Sequence, residues 1–242
     1  MQKSSLIGYG LALVLAQTVV CHPVRADLVI SSGVGEAPAG TTDENFDSLL
    51  PGASAATTLP SGIAVSFDGN AQAVSGSSYG LYAAPYLSGA NGLGFGLNSS
   101  TQSGGRDATT YVSAGTNGSV ALQFPSLETY VGILWGSVDG YNTLSFFNGS
   151  TLVGTFTGSD VTANPNGDQG INGTVYVGVS ATGDTAFDRV VATSGGNAFE
   201  FDDVSFTDPP PTVSQAPDPI PEPISFALLG TGLVGLGLTR RY

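Results

Sequence analysis

Between positions 27 and 208 the apolar residues fall in short runs, often at every second place. Val120, Leu122 and Phe124 alternate with Ala121 and Gln123, and Val175, Val177 and Val179 repeat the pattern. A period of two puts alternate side chains on one face of a strand. Other runs rich in β-branched and aromatic residues lie at 63–67, 81–86, 109–113, 130–135, 143–147, 152–156, 174–179, 187–193 and 198–206. Gly, Asn, Ser and Asp separate them at short spacing, which predicts an all-β, two-sheet antiparallel sandwich. No stretch of this region sustains a helical period, although the pattern allows a short helix over 46–50. Phe147-Asn148-Gly149-Ser150 predicts a hairpin, since Asn-Gly readily takes the positive φ of a type I′ turn. Trp135 ends an apolar run and is expected in the core rather than as a platform for sugar rings.

The last run changes face part-way. Phe199 and Phe201 share one parity, Val204 and Phe206 the other, so the apolar face switches at Asp202-Asp203. A bulge there would account for the switch. The segment Glu200–Phe206 resembles the last strand of jelly-roll domains on bacterial surface and carbohydrate-binding proteins. Glu44-Asn45-Phe46-Asp47 resembles an early strand of the same domains. The resemblance implies a jelly-roll-like sandwich in which the first and last strands lie side by side.

The ends follow other rules. Lys3 precedes an apolar run from Leu6 to Val20, and Val24-Arg25-Ala26 supplies a small residue for cleavage. This predicts a signal peptide over 1–26, with an apolar helix and a mature start after Ala26, at Asp27. A membrane span wants about 20 apolar residues, and His22-Pro23 interrupts this run. Cys21 and His22 are the only Cys and His, so the mature chain would hold neither thiol nor imidazole. At the other end a Pro-rich linker over 209–220 leads to Pro221-Glu222-Pro223, an apolar stretch over 224–238, and Arg240-Arg241-Tyr242. As a helix that stretch would be about 22 Å long, a short transmembrane helix with its arginines on the cytoplasmic side.

Pro221, Glu222 and Pro223, the glycine-rich stretch and Arg240 and Arg241 together resemble the PEP-CTERM sorting domain, here over 221–242. The resemblance implies export, a transient inner-membrane anchor and processing by exosortase. It also implies delivery to the surface or extracellular matrix of a Gram-negative bacterium that makes exopolysaccharide.

Charge narrows the chemistry further. Among 242 residues Lys and Arg number 6 against 19 Asp and Glu. No nucleic acid is expected as partner, because phosphate backbones demand clustered cations. Between 27 and 208 the only cations are Arg106 and Arg189, whose roles as core ion pairs, ion-site neighbours or surface charges stay open. Without His or Cys, Ser-His-Asp and Cys-His catalysis and a His- or Cys-based zinc site are excluded from the mature chain. Gly92-Leu93-Gly94-Phe95-Gly96 has no following lysine and reads as strand, not as a phosphate loop.

The carboxylates offer calcium, which takes six to eight oxygen ligands. If the first and last strands adjoin, Glu44 and Asp47 could meet Glu200, Asp202 and Asp203. The alternative is that these acids are solvated turn and edge residues. The loop 160–168 is a weaker candidate and reads as a turn, lacking the EF-hand spacing. Three functions follow. The first is a non-enzymatic structural surface or matrix protein that contacts exopolysaccharide. The second is a dedicated carbohydrate-binding module using Tyr79, Tyr82, Tyr86 and Tyr141. The third is a glycoside hydrolase, which needs two carboxylates across a cleft.

Overall fold

The computed structural model describes residues 27–88 and 105–208. The strands are β1 (Asp27–Gly33), β2 (Thr42–Glu44), β3 (Thr57–Thr58), β4 (Ala64–Asp68), β5 (Ala71–Ser75), β6 (Tyr86–Leu87), β7 (Gly105–Arg106) and β8 (Thr110–Ala114). They continue as β9 (Ser119–Glu128), β10 (Tyr130–Gly136), β11 (Asn142–Asn148), β12 (Thr151–Thr157), β13 (Val175–Thr182), β14 (Phe187–Ser194) and β15 (Phe199–Thr207). A single helical turn, α1 (Gly158–Val161), follows β12. The signal segment with Ala26, the Gly92–Gly96 run, the Pro-rich linker and the sorting segment lie outside the described residues. Among the described residues no helix is long and apolar enough to cross a membrane.

Two antiparallel sheets carry the fold. One runs β1-β13-β10-β15-β8-β5 with β2 also on β15; the other runs β12-β11-β14-β9-β4-β3. The last eight strands pair in nested fashion: β11 with β12, β10 with β13, β9 with β14, and β8 with β15. They form one long hairpin, folded back at Gly149-Ser150 and rolled so that its successive pairs alternate between the two sheets.

Alternation makes the core. Val120, Leu122 and Phe124 of β9 and Phe146 of β11 face Ile133, Val177, Val179 and Phe206 of the opposite sheet in one buried cluster. Phe124 lies 5.1 Å from Phe206 between ring centroids, and Trp135 stacks on Phe199 at 4.1 Å. Each such aromatic pair contributes roughly 0.5–1.5 kcal/mol beyond area burial. Trp135 is therefore a core residue, as its position in an apolar run predicts. Its Nε1 is buried and has no hydrogen-bond partner among the described residues.

Three local details refine the expectations. Residues 46–49 form a turn, with Leu49 N donating to Phe46 O, rather than a helix. The central residues of the hairpin are Gly149 and Ser150, since Asn148 pairs with Thr151. Only Gly149 has positive φ there, which matches a type II′ turn rather than type I′. The expected bulge in β15 is present. Gly132 pairs with Ser205 but Leu134 with Asp202, so Asp203 and Val204 together oppose Ile133. Asp203 takes φ +50°, the cost of re-aiming the strand.

The strand expected over 81–86 is mostly loop, because this segment folds over the outer face of the β10-β15-β8 sheet. Pro85 lies against Gly136, where an added Cβ would come within 3.1 Å of it. Tyr82 and Ala84 pack with Val74 and Tyr111 as a second apolar cluster. Both faces of the middle strands are thus covered, and every residue of β10 is buried.

Candidate functional site

The loops at one end of the sandwich enclose two cavities. This end gathers the β4–β5 turn, the segment 77–82, the β8–β9 turn, the residues after β10, the segment 166–169, and the entry to β15. The first cavity, about 440 Å³, is lined by Ser54, Asn70, Gln72, Ser113 and Thr116 among others. The second, about 400 Å³, is lined by Tyr79, Tyr141, Asn166, Gln169, Asp139 and Glu200 among others. Leu81, Tyr82 and Asn197 line both.

Asn197 holds the ridge between them. Its Nδ2 donates to Gly80 O at 2.8 Å, and its Oδ1 accepts from Thr116 N and Thr116 Oγ1, both at 2.8 Å. One side chain thereby ties three loops. Ser78 and Tyr82 pair as an isolated bridge, which presents Tyr79 and Gly80 at a tight tip. Tyr79 is fully exposed there. Tyr141 is 44 % exposed, and its hydroxyl sits 2.6 Å from Asp139 Oδ2 and 2.9 Å from Asn197 O. Gly196 must be glycine for this ring to lie where it does, since a Cβ would come within 2.9 Å of it.

The carboxyls of the second cavity differ in setting. Glu200 is 2 % exposed; Ala83 N donates to its Oε1 at 2.8 Å and Ser137 Oγ to its Oε2 at 2.5 Å. Burial outweighs these donors and pushes its pKa up to about 7. Asp139 is raised by burial as well, with the Tyr141 hydroxyl opposing the rise. Tyr141 in turn is held well above the ordinary phenol range by burial and by Asp139.

Of the four tyrosines expected on a sugar surface, Tyr79, Tyr82 and Tyr141 meet at this end, with Tyr82 half-buried against Tyr111. Tyr86 sits instead in the small β6-β7 ribbon, paired with Arg106. Sequence reasoning missed Asn197, Gln72 and Asp139. These are ordinary loop and strand polar residues, and only the fold makes them neighbours.

Of the five residues expected around calcium, Glu44, Asp47, Asp203 and Asp202 lie within electrostatic reach of one another in turn, and Glu200 stands apart at the cavity end. The strands do adjoin, with Glu44 beside Val204. Yet Glu44 accepts from Phe46 N at 2.9 Å and from Ser61 Oγ at 2.7 Å, while Glu200 belongs to the cavity end. Asp47 accepts from Thr110 N at 3.0 Å. Asp202 and Asp203 feel one another, and both feel Asp107, a residue the sequence did not single out. Among the described residues no group of three or more His, Cys, Asp or Glu side chains is arranged to hold a metal ion. Nor are these acids solvated edge residues: Glu44, Glu200, Asp202 and Asp203 are buried, with β15 central in its sheet and Ala83 of the 77–86 segment lying on Glu200. Asp202 and Asp203 answer burial with pKa values well above the ordinary range, driven by desolvation and then by neighbouring carboxylates. In the weaker candidate loop, Asp160 Oδ2 accepts from Thr157 N at 2.7 Å and Thr157 Oγ1 at 2.9 Å, so that carboxylate caps α1.

The two cations have local roles. Arg189 lies over the Phe147 ring, 4.2 Å from its centroid, and its Nη2 donates to Gly149 O at 3.4 Å. Arg106 donates from Nη1 to Ser77 Oγ at 3.4 Å, at the margin of the second cavity.

Comparison with known families places a PEP-CTERM protein-sorting motif at residues 219–241. The match spans the tripeptide Pro221-Glu222-Pro223 and both terminal arginines, and it supports sorting of the chain by exosortase to the cell surface. No curated protein and no solved structure matches the chain.

Proposed function

We propose that this is a non-catalytic cell-surface or extracellular-matrix protein of a Gram-negative bacterium whose β domain associates with exopolysaccharide. Residues 1–26 act as its signal peptide and 224–238 as its transient inner-membrane anchor, which exosortase removes. The sorting motif supports the route. Asp27, the expected mature start, pairs with Thr182 within the β1–β13 ladder, which supports a β domain that includes it. The nested pairing of β8–β15 supports a jelly roll, the two-Greek-key sandwich common to lectin and capsid domains.

The observation that carries the sugar half of the proposal is the first cavity, whose described lining sets hydroxyl and amide side chains beside Leu81 and Ala71 and includes no charged residue. Such groups donate and accept in turn, as sugar hydroxyls require. Co-sedimentation of the full chain with exopolysaccharide from the producing bacterium tests it. Pelleting with the polymer is expected, and a chain that stays in the supernatant at every polymer concentration refutes it.

Glycoside hydrolysis is the second reading, because Asp139 and Glu200 line one cavity and Glu200 has the raised pKa of a general acid. Against it, both oxygens of Glu200 already accept hydrogen bonds inside the protein and the residue is almost fully buried. Release of reducing ends from the same polymer would favour hydrolysis.

A further inference from the structure

We propose that the two cavities are adjoining subsites of a single groove that takes a glycan chain free of carboxylate and sulfate groups, laid across the Asn197 ridge. The inference rests on the exopolysaccharide reading and says which sugar and where. Three observations carry it.

The cavities share Leu81, Tyr82 and Asn197, so they adjoin on the two sides of a common wall. Each falls within the roughly 300–1,000 Å³ typical of a small-ligand site, so the pair suits several linked rings rather than one. The ridge is rigid, since Asn197 is hydrogen-bonded to Gly80 and twice to Thr116.

The two halves offer complementary surfaces. The first presents Asn70, Gln72, Ser113 and Thr116, a hydroxyl and amide set. The second presents Tyr79, exposed at its tip, and Tyr141, whose hydroxyl is tethered so that the ring is held. Rigid tyrosines supply contact area at low entropic cost.

Charge decides the sugar class. The described residues lining the groove include Asp139 and Glu200 and no Lys, Arg or His. Arg106 lies at the margin and reaches toward Ser77. A uronate or sulfate in the second subsite would face Asp139, with Glu200 buried behind it and no lining cation among the described residues to offset the repulsion. Neutral sugars meet no such penalty, and their hydroxyls can donate to the Asp139 carboxylate.

The test uses the full chain in detergent and exopolysaccharide separated by anion exchange into neutral and acidic fractions. Binding is measured by co-sedimentation for the wild type, Tyr79→Ala in the second subsite and Gln72→Glu in the first. Fluorescence of Trp135, the sole tryptophan, verifies that each variant is folded. Binding is expected to the neutral fraction, with each variant weakening it roughly fivefold or more. Three results overturn the inference but leave the exopolysaccharide reading standing: preference for the acidic fraction, undiminished binding by both folded variants, or loss confined to one of them. Absence of binding to either fraction overturns both.

Discussion

Glu200→Gln is expected to remove a pH-dependent cost that the native chain carries. The carboxyl lies under the 77–86 segment, 2 % exposed, with one backbone and one hydroxyl donor. Its pKa rises from an ordinary 4.5 to about 7, chiefly through burial. Below pH 4.5 the group is protonated in both folded and unfolded chains and contributes no pH dependence. Between 4.5 and about 7 the folded chain binds more protons than the unfolded one, so stability falls as pH rises. Above about 7 both states are ionised and the loss is complete. At about 1.4 kcal/mol per pH unit the total is about 3 kcal/mol. Glutamine keeps the geometry: its carbonyl oxygen can still accept from Ala83 N, and its amide can donate to Ser137 Oγ. Urea unfolding of the full chain and of the variant, followed by Trp135 fluorescence from pH 4 to 8, isolates the effect as a difference. Asp202 and Asp203 also titrate upward but contribute alike to both proteins. The stability gap should widen in favour of the variant by about 3 kcal/mol across that range. A gap that stays flat with pH would refute the burial argument for Glu200.

Four further outcomes follow from the same geometry. Asp203→Asn keeps a residue tolerant of φ +50° while removing a carboxyl whose ionisation burial penalises, so it should stabilise the chain at neutral pH and lose that advantage in acid, as read by urea midpoints at pH 7.5 and 4. Trp135→Ala should cost about 3–5 kcal/mol in urea unfolding followed by circular dichroism, and Trp135→Phe markedly less, because phenylalanine keeps much of the stack on Phe199 and leaves no buried N–H unpaired. Gly132→Ala would press a Cβ against the Tyr176 and Tyr130 hydroxyls and should cost about 1–3 kcal/mol, measured the same way. Replacing Pro221, Glu222 and Pro223 by alanine should leave the chain uncut in the membrane fraction of the producing cells, as read by immunoblot.

The strands of the rolled hairpin were legible because each obeys a two-residue period and is bounded by turn residues. β9 and β13 show the alternation directly, and β15 shows its interruption, so even the bulge could be placed. The strands before it were less so. β1, Asp27–Gly33, and β5, Ala71–Ser75, are polar or small in most of their positions and gain their strand character by pairing with β13 and β8. The hairpin's centre moved by one residue because Asn148 can close the ladder with Thr151 while Gly149 alone takes the positive φ. The tyrosines of the groove were named from their surroundings in the chain. Asn197 was not, since nothing in Gly195-Gly196-Asn197 distinguishes a turn from a tie between three loops.

The burial of these acids was not legible in the sequence, and it bears on how the domain is held together. Alternation correctly put Glu200 and Asp202 on the face of β15 opposite Phe199 and Phe201. From there the sequence offered two choices, solvent or a cation. The structure covers that face at Glu200 with the 77–86 segment, whose Ala83 N donates to the carboxylate. Buried carboxyls without a metal or a paired cation must be neutralised or amply hydrogen-bonded. Glu44 is hydrogen-bonded by Phe46 N and Ser61 Oγ; burial raises the pKa values of Asp202 and Asp203, and Glu200 combines both responses. With Arg106 and Arg189 the only cations between 27 and 208, charge pairing cannot serve as the general solution. The loop cover that buries these acids is also what shapes the groove, since Leu81 and Tyr82 form part of both cavity walls. Ionising Glu200 therefore strains the same segment that would hold a sugar. If the groove binds glycan, binding should weaken as pH rises from 5 to 8 in the native chain, and Glu200→Gln should flatten that profile. Co-sedimentation across the pH series reads it directly, and a native profile as flat as the variant's would show that the cover and the groove are energetically separate.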